Sequence, residues 1–128
     1  MKKKLLFVAI MLIVNIACGQ KQEVPSIVVN ELVQRMESDS SLVILDVRTP
    51  QELVGPLGKI DGVINIPVQE LNSRIGELHK FKNSNIAVIC RSGNRSVSGT
   101  KILMENGFKA ENVKGGMKAY RNIKQRNE

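Results

Sequence analysis

Ile86-Ala87-Val88-Ile89-Cys90-Arg91-Ser92-Gly93-Asn94-Arg95-Ser96 is an apolar run that stops at a cysteine and continues as a small, polar, doubly basic loop. Its first four residues are apolar without alternation and partly β-branched, the pattern of a parallel strand covered on both faces. Residues 97–106 then read as a helix, with Val97, Thr100, Leu103 and Met104 near one face and Gly107 placed to end it. A strand, a tight loop and a helix start aim successive backbone N–H groups and the positive end of a helix dipole into one small space. Arg91 and Arg95 add two permanent cations. A thiol at the base of such a nest is expected to ionise more readily than an ordinary cysteine, with no histidine to activate it. Free cysteines are often simply buried. An apolar resting place is not lined with two arginines and a glycine, however, and the sequence marks Cys90 as a nucleophile.

Leu42-Val43-Ile44-Leu45 reads as a second buried strand, and it too runs into polar residues, Asp46-Val47-Arg48-Thr49-Pro50-Gln51-Glu52. Ligands of open parallel sheets gather at the carboxyl ends of strands, which makes Asp46 and Arg48 candidates for the site or its supporting shell. Tying the strand end to a neighbouring loop is the simpler role and the preferred reading for both. Pro50 and Glu52 predict a helical turn after Thr49. Residues 55–62 form a glycine-rich loop containing Pro56, and Val63-Ile64-Asn65-Ile66-Pro67 is a short strand stopped by proline. Residues 69–79 read as a helix with Leu71, Ile75 and Leu78 facing inward, ending at the lone histidine, His79, which is expected to be solvated.

Toward the N-terminus, Ile27-Val28-Val29 is a short edge strand and Asn30 the N-cap of a helix carrying Leu32, Val33 and Met36. Toward the C-terminus, Phe108 is expected beneath the sheet, Val113 in a last short strand, and Gly115-Gly116 at the start of a helix with Met117 and Tyr120. The glycine pair lacks the spacing of a dinucleotide fingerprint or a phosphate loop and reads as a tight turn. There is no internal repeat, no zinc-ligand spacing and no catalytic carboxylate pair, so neither a metal nor a cofactor is expected.

A chain of 128 residues makes one domain with a real core. With no Trp, one Tyr and three Phe, that core must be aliphatic. The formal charge of +7 includes Lys2, Lys3 and Lys4; removing these three from 19 basic residues leaves 16 against 12 acidic ones. The remaining excess is scattered and has no aromatic interleaving, which argues against a nucleic-acid partner.

Residues 1–18 have the layout of a secretory signal: three lysines, an apolar run over 5–14 that is short for a transmembrane helix, then small residues. Ile16-Ala17-Cys18-Gly19 resembles the lipobox of bacterial lipoproteins, with Asn15 where that family usually has leucine. The resemblance implies lipidation of Cys18, which would leave Cys90 as the only free thiol. The expected organisation is thus a signal over 1–18, a polar linker over 19–26 and a domain over 27–128, carried in the bacterial cell envelope or periplasm on a membrane anchor.

The motifs together resemble those of a single-domain rhodanese. They are Asp46 to Glu52, then Gly58-Lys59-Ile60-Asp61-Gly62-Val63-Ile64-Asn65-Ile66-Pro67, then Cys90 to Ser96, then Gly107-Phe108 and Gly115-Gly116-Met117, in family order. The resemblance implies a rhodanese-like α/β domain, a central parallel sheet flanked by helices. It also implies a sulfurtransferase whose Cys90 takes sulfur from an anionic donor such as thiosulfate, holds it as a persulfide and passes it to a thiol or cyanide-like acceptor. Arg91 would attract the donor, while Ser92, Gly93, Asn94, Arg95 and Ser96 would form the substrate-binding cradle. Lys59 stands where the family commonly has histidine, and Tyr120 where tryptophan is frequent.

Two other readings share this chemistry. Cysteine phosphatases and arsenate reductases also hold a thiolate in an anion nest, but their loops run Cys, five residues, Arg. Here four residues separate Cys90 from Arg95, and Ile89 replaces the histidine common before the phosphatase cysteine. A tethered persulfide carrier serving one dedicated protein would need the same loop as a general sulfurtransferase.

Overall fold

The computed structural model describes residues 23–128. The signal over 1–18, with Cys18, and the first part of the 19–26 linker lie outside the described residues. The elements run β1 (Ser26–Val28), α1 (Val29–Ser38), β2 (Val43–Asp46), α2 (Pro50–Leu53), β3 (Ile64–Asn65), a 3₁₀ segment (Ile75–Phe81), β4 (Asn85–Ile89), α3 (Arg95–Glu105), β5 (Lys109–Lys114) and α4 (Gly116–Asn127). The five strands form one sheet in the order β1-β5-β4-β2-β3, and every pairing is parallel. This is an α/β fold, a central parallel sheet with helices packed on its faces.

The central strand explains the two-sided core. Ile86 and Val88 of β4 pack into one cluster with Leu45, Leu78, Leu103 and Phe108, while Ala87 and Ile89 pack into another with Leu32, Val113, Met117 and Tyr120. Alternate residues of a strand face opposite sides, so an unbroken apolar run fits only a strand covered twice. Completely buried aliphatic side chains such as Leu45, Val88 and Leu103 each stabilise the fold by about 1.5–3 kcal/mol.

Several sequence expectations shift. The chain turns through residues 67–74 and then forms the 3₁₀ segment, so the helix expected over 69–79 does not form; Leu71 and Leu78 are nonetheless buried and His79 is exposed. The α1 helix begins at Val29, with Val28 rather than Asn30 at the cap. Helix α3 begins at Arg95 and turns Ser96, Gly99, Thr100 and Leu103 inward, while Val97 and Met104 are exposed. The buried set still has the i, i+3, i+4, i+7 spacing of one helix face. Small residues take that face because the helix sits close to the sheet: a Cβ on Gly99 would lie 3.1 Å from the Val88 side chain and 3.2 Å from that of Val47.

Candidate active site

The register of β2 against β4 places Asp46 beside Ile89, and Val47 N–H donates to the Ile89 carbonyl at 2.9 Å. The polar stretches that follow the two strands therefore lie side by side. Cys90 sits at the floor between them, 1% exposed.

Three elements turn the Cys90 loop into a donor nest. Gly93 N–H points at Cys90 Sγ across 3.1 Å, and Ser96, in the first turn of α3, brings its Oγ to 3.2 Å. Behind the loop, the start of α4 holds the opposite ends of the peptides: Met117 N–H donates to the Cys90 carbonyl at 2.8 Å and Lys118 N–H to the Arg91 carbonyl at 3.0 Å. These are the N–H groups a helix leaves unpaired at its start. With the carbonyls held there, the following N–H groups are free to face the sulfur. Gly93 takes φ +101°, and a Cβ on it would lie 3.2 Å from Gly115 N. An L side chain resists both that backbone and that approach.

Burial pushes the Cys90 thiol up, but hydrogen bonds from the Ser96 hydroxyl and from the N–H groups of Ser96, Gly93 and Ser92 outweigh it and hold its pKa below the ordinary value. The sequence assigned this effect to Arg91 and Arg95 as well; Arg95 does attract the Cys90 thiolate through its charge, while the groups that touch the sulfur are the loop N–H groups and Ser96. Arg95 spends its guanidinium on Glu52, at 2.8 and 2.7 Å. Arg91 is exposed and makes no ion pair among the described residues. It borders a cleft of about 260 Å³ shared with Gln51, Pro56 and Leu57. Ser92 and Asn94 are also exposed, so the cradle itself is built of backbone and Ser96.

Asp46 and Arg48 form a buried pair, 0% and 1% exposed. Arg48 Nη2 lies 2.7 Å from Asp46 Oδ2 and 2.8 Å from the Gly58 carbonyl, and Nη1 reaches the Glu52 carbonyl at 3.3 Å. The pair thus ties the end of β2 to α2 and the glycine-rich loop, as preferred from the sequence. His79 sits on the segment leading into β4, at the end of that strand remote from Cys90.

Three residues that matter to the geometry went unremarked as site residues in the sequence. Glu52 closes a capping box on Thr49 and also receives Arg95; the Thr49-x-x-Glu52 pattern was its signal. Asn112 is a buried amide in β5 that accepts the Ser96 hydroxyl at 2.6 Å; a polar residue on an inward strand position marks it. Gly116 has no room for a side chain, since a Cβ there would overlap the Cys90 carbonyl oxygen and lie 2.7 Å from that of Arg91. Among the described residues, no group of three or more His, Cys, Asp or Glu side chains could hold a metal ion.

The family model for the rhodanese-like domain matches residues 28–123. The chain is 38% identical over 96 residues to the Bacillus subtilis protein YrkF, named as a candidate sulfur carrier protein; the match covers 74% of this chain and 50% of that one, so the chain spans half its length. It is 36% identical over 98 residues to Bacillus subtilis YtwF, named as a candidate sulfurtransferase, covering 77% of this chain and 91% of the relative. Among solved structures, a rhodanese-related protein from Thermoplasma volcanium superposes with a TM-score of 0.69 at 32% identity, over 77% of this chain and 92% of that one. With the cysteine loop, the sheet order and the matched span in agreement, the chain belongs to the rhodanese-like domain family.

Proposed function

We propose that this chain is a rhodanese-type sulfurtransferase that carries sulfane sulfur on Cys90. The observation that supports this most directly is the Cys90 sulfur itself, which accepts from the Gly93 N–H at 3.1 Å and has its thiol pKa lowered. Relatives named for sulfur transfer and sulfur carriage agree with that chemistry. The Cys90 thiolate attacks the outer sulfur of thiosulfate, forming a new S–S bond as the old one breaks, and sulfite leaves with the bonding pair. The loop N–H groups stabilise the persulfide anion as an oxyanion hole stabilises oxygen. A nucleophilic acceptor such as cyanide then bonds to the terminal sulfur, leaves as thiocyanate and restores the thiolate. Arg91, at the mouth, draws in the anionic donor.

Intact mass tests the reading. After thiosulfate, the wild type is expected to gain one sulfur atom, lost to cyanide as thiocyanate appears, while Cys90→Ser gains none. Absence of the gain on the wild type would reject thiosulfate as donor.

A dedicated persulfide carrier is the second reading, favoured by the similarity to YrkF. A high KM for thiosulfate beside fast transfer from a protein persulfide would select it. A phosphatase or arsenate reductase is disfavoured because Arg95 is bound to Glu52 rather than offered to a tetrahedral anion; aryl-phosphate turnover abolished by Cys90→Ser would reverse that.

We also propose that residues 1–18 export the chain to the cell envelope and that Cys18 anchors it to a membrane, on the strength of the lysine cluster, the apolar run and the Cys18 motif. Labelling with palmitate, retained by wild type and lost in Cys18→Ser, tests this.

A further inference from the structure

Ser26, Asn112, Ser96 and Cys90 form an unbroken line of polar side chains across β1, β5, α3 and the end of β4. Ser26 Oγ donates to the Val24 carbonyl at 3.1 Å, and Asn112 Nδ2 donates to Ser26 Oγ at 3.4 Å. Asn112 Oδ1 accepts from Ser96 Oγ at 2.6 Å, and Ser96 Oγ lies 3.2 Å from Cys90 Sγ. Cys90, Ser96 and Asn112 are 1%, 0% and 4% exposed, so this end of the line is sealed from solvent.

A serine hydroxyl has one proton to give. Ser26 gives its own to Val24 and so turns a lone pair toward Asn112. The amide answers with Nδ2 and therefore shows Oδ1, an acceptor only, to Ser96. The single Ser96 proton is drawn to Asn112, and Ser96 turns a lone pair toward the sulfur. In that arrangement the Cys90 thiol donates to Ser96. Ionisation must reverse the last two links: the thiol proton passes to water, the Ser96 O–H swings from Oδ1 to the sulfur anion, and Oδ1 is left without its donor. Leaving a buried acceptor unpaired opposes ionisation.

We propose that Asn112 is a positioning residue that governs the ionisation of Cys90 by competing with the sulfur for the one Ser96 proton. This deepens the reading of Cys90 as the sulfur-carrying group. Charged groups also stand on the elements around this thiol. They are Arg91 on the loop, Arg95 of α3 with its partner Glu52 of α2, the Asp46–Arg48 pair at the end of β2, Lys114 of β5 and Lys118 of α4. The Asn112 effect differs from all of them in needing Ser96.

The test follows iodoacetamide alkylation of Cys90 in the full chain against pH, read on the Cys90 peptide by mass because the chain has a second cysteine, Cys18. Asn112→Leu frees the Ser96 proton for the sulfur, and the apparent thiol pKa is expected to fall by about one unit, roughly tenfold more thiolate at pH values below it. In a Ser96→Ala background the same substitution is expected to move nothing. Ser26→Ala, at a half-buried position, is the second variant: it releases the amide to turn Nδ2 toward Ser96 and should lower the pKa in the same direction. An unchanged pKa in a folded Asn112→Leu, an equal shift with and without Ser96, or, where Asn112→Leu does not fold, an unchanged pKa in Ser26→Ala overturns the proposal. Sulfur uptake is measured alongside: uptake with no pKa response removes the role of Asn112 and leaves Cys90 as carrier, whereas a pKa response without uptake does the reverse.

Discussion

Arg95 and Glu52, 43 residues apart in sequence, are joined by two parallel bonds of 2.8 and 2.7 Å that fasten the Cys90 loop to the segment after β2. Arg95 holds the Glu52 carboxyl down to about 2, from an ordinary 4.5. A depressed carboxylate pKa contributes stability that is fully present above the unfolded value and is lost as pH falls through the folded one. The protein is therefore expected to lose melting temperature as pH drops from about 4.5 toward 2. In Glu52→Gln that slope should flatten, and a melting profile identical to wild type across the window would dismiss the pair as a contributor.

Arg91 is exposed, borders the cleft and makes no ion pair among the described residues, so changing its charge should cost the fold little. Arg91→Glu is expected to lower kcat/KM for thiosulfate by about tenfold or more through repulsion of the dianion, with unfolding free energy within about 0.5 kcal/mol of wild type. Steady-state kinetics at two salt concentrations check it, since screening should narrow the gap.

Gly116 has φ +56° and stands against the Cys90 and Arg91 carbonyls. Gly116→Ala must push α4 off the loop. A destabilisation of about 1–3 kcal/mol is expected from overpacking and backbone strain together, with slower alkylation of Cys90. Chemical denaturation reads the first quantity and iodoacetamide kinetics the second; wild-type values for both would refute the contact.

For the buried Asp46–Arg48 pair, removing one partner leaves an uncompensated charge. Asp46→Ala and Arg48→Ala are each expected to cost about 3–5 kcal/mol, and Asp46→Leu combined with Arg48→Met much less than the sum. Urea unfolding of the three variants decides it, and additive losses would mean that the two side chains act independently.

The strands were legible because an unalternating run such as residues 86–89 has only one economical place in a small α/β domain, and Cys90 was legible because basic and small residues follow it at once. The face of α3 was not: Ser96, Gly99 and Thr100 carry little hydrophobic signal, yet the close approach of the helix to Val88 and Val47 admits nothing larger. The 3₁₀ segment was missed for a related reason, since Leu71, Ile75 and Leu78 have helical spacing whichever turn geometry carries them inward. The partners of Arg95 and Ser96 were hidden because Glu52 and Asn112 lie far from them in sequence, and only strand register brings them near.

The grip of α4 on the Cys90 and Arg91 carbonyls makes thiol chemistry contingent on docking of a helix that is distant in sequence. A chain whose α4 has peeled away is expected to lose the fixed orientation of the Cys90 and Arg91 peptides, and with it part of the donor set that favours the thiolate. The ionisation of the sulfur thus doubles as a gauge of whether that helix is home.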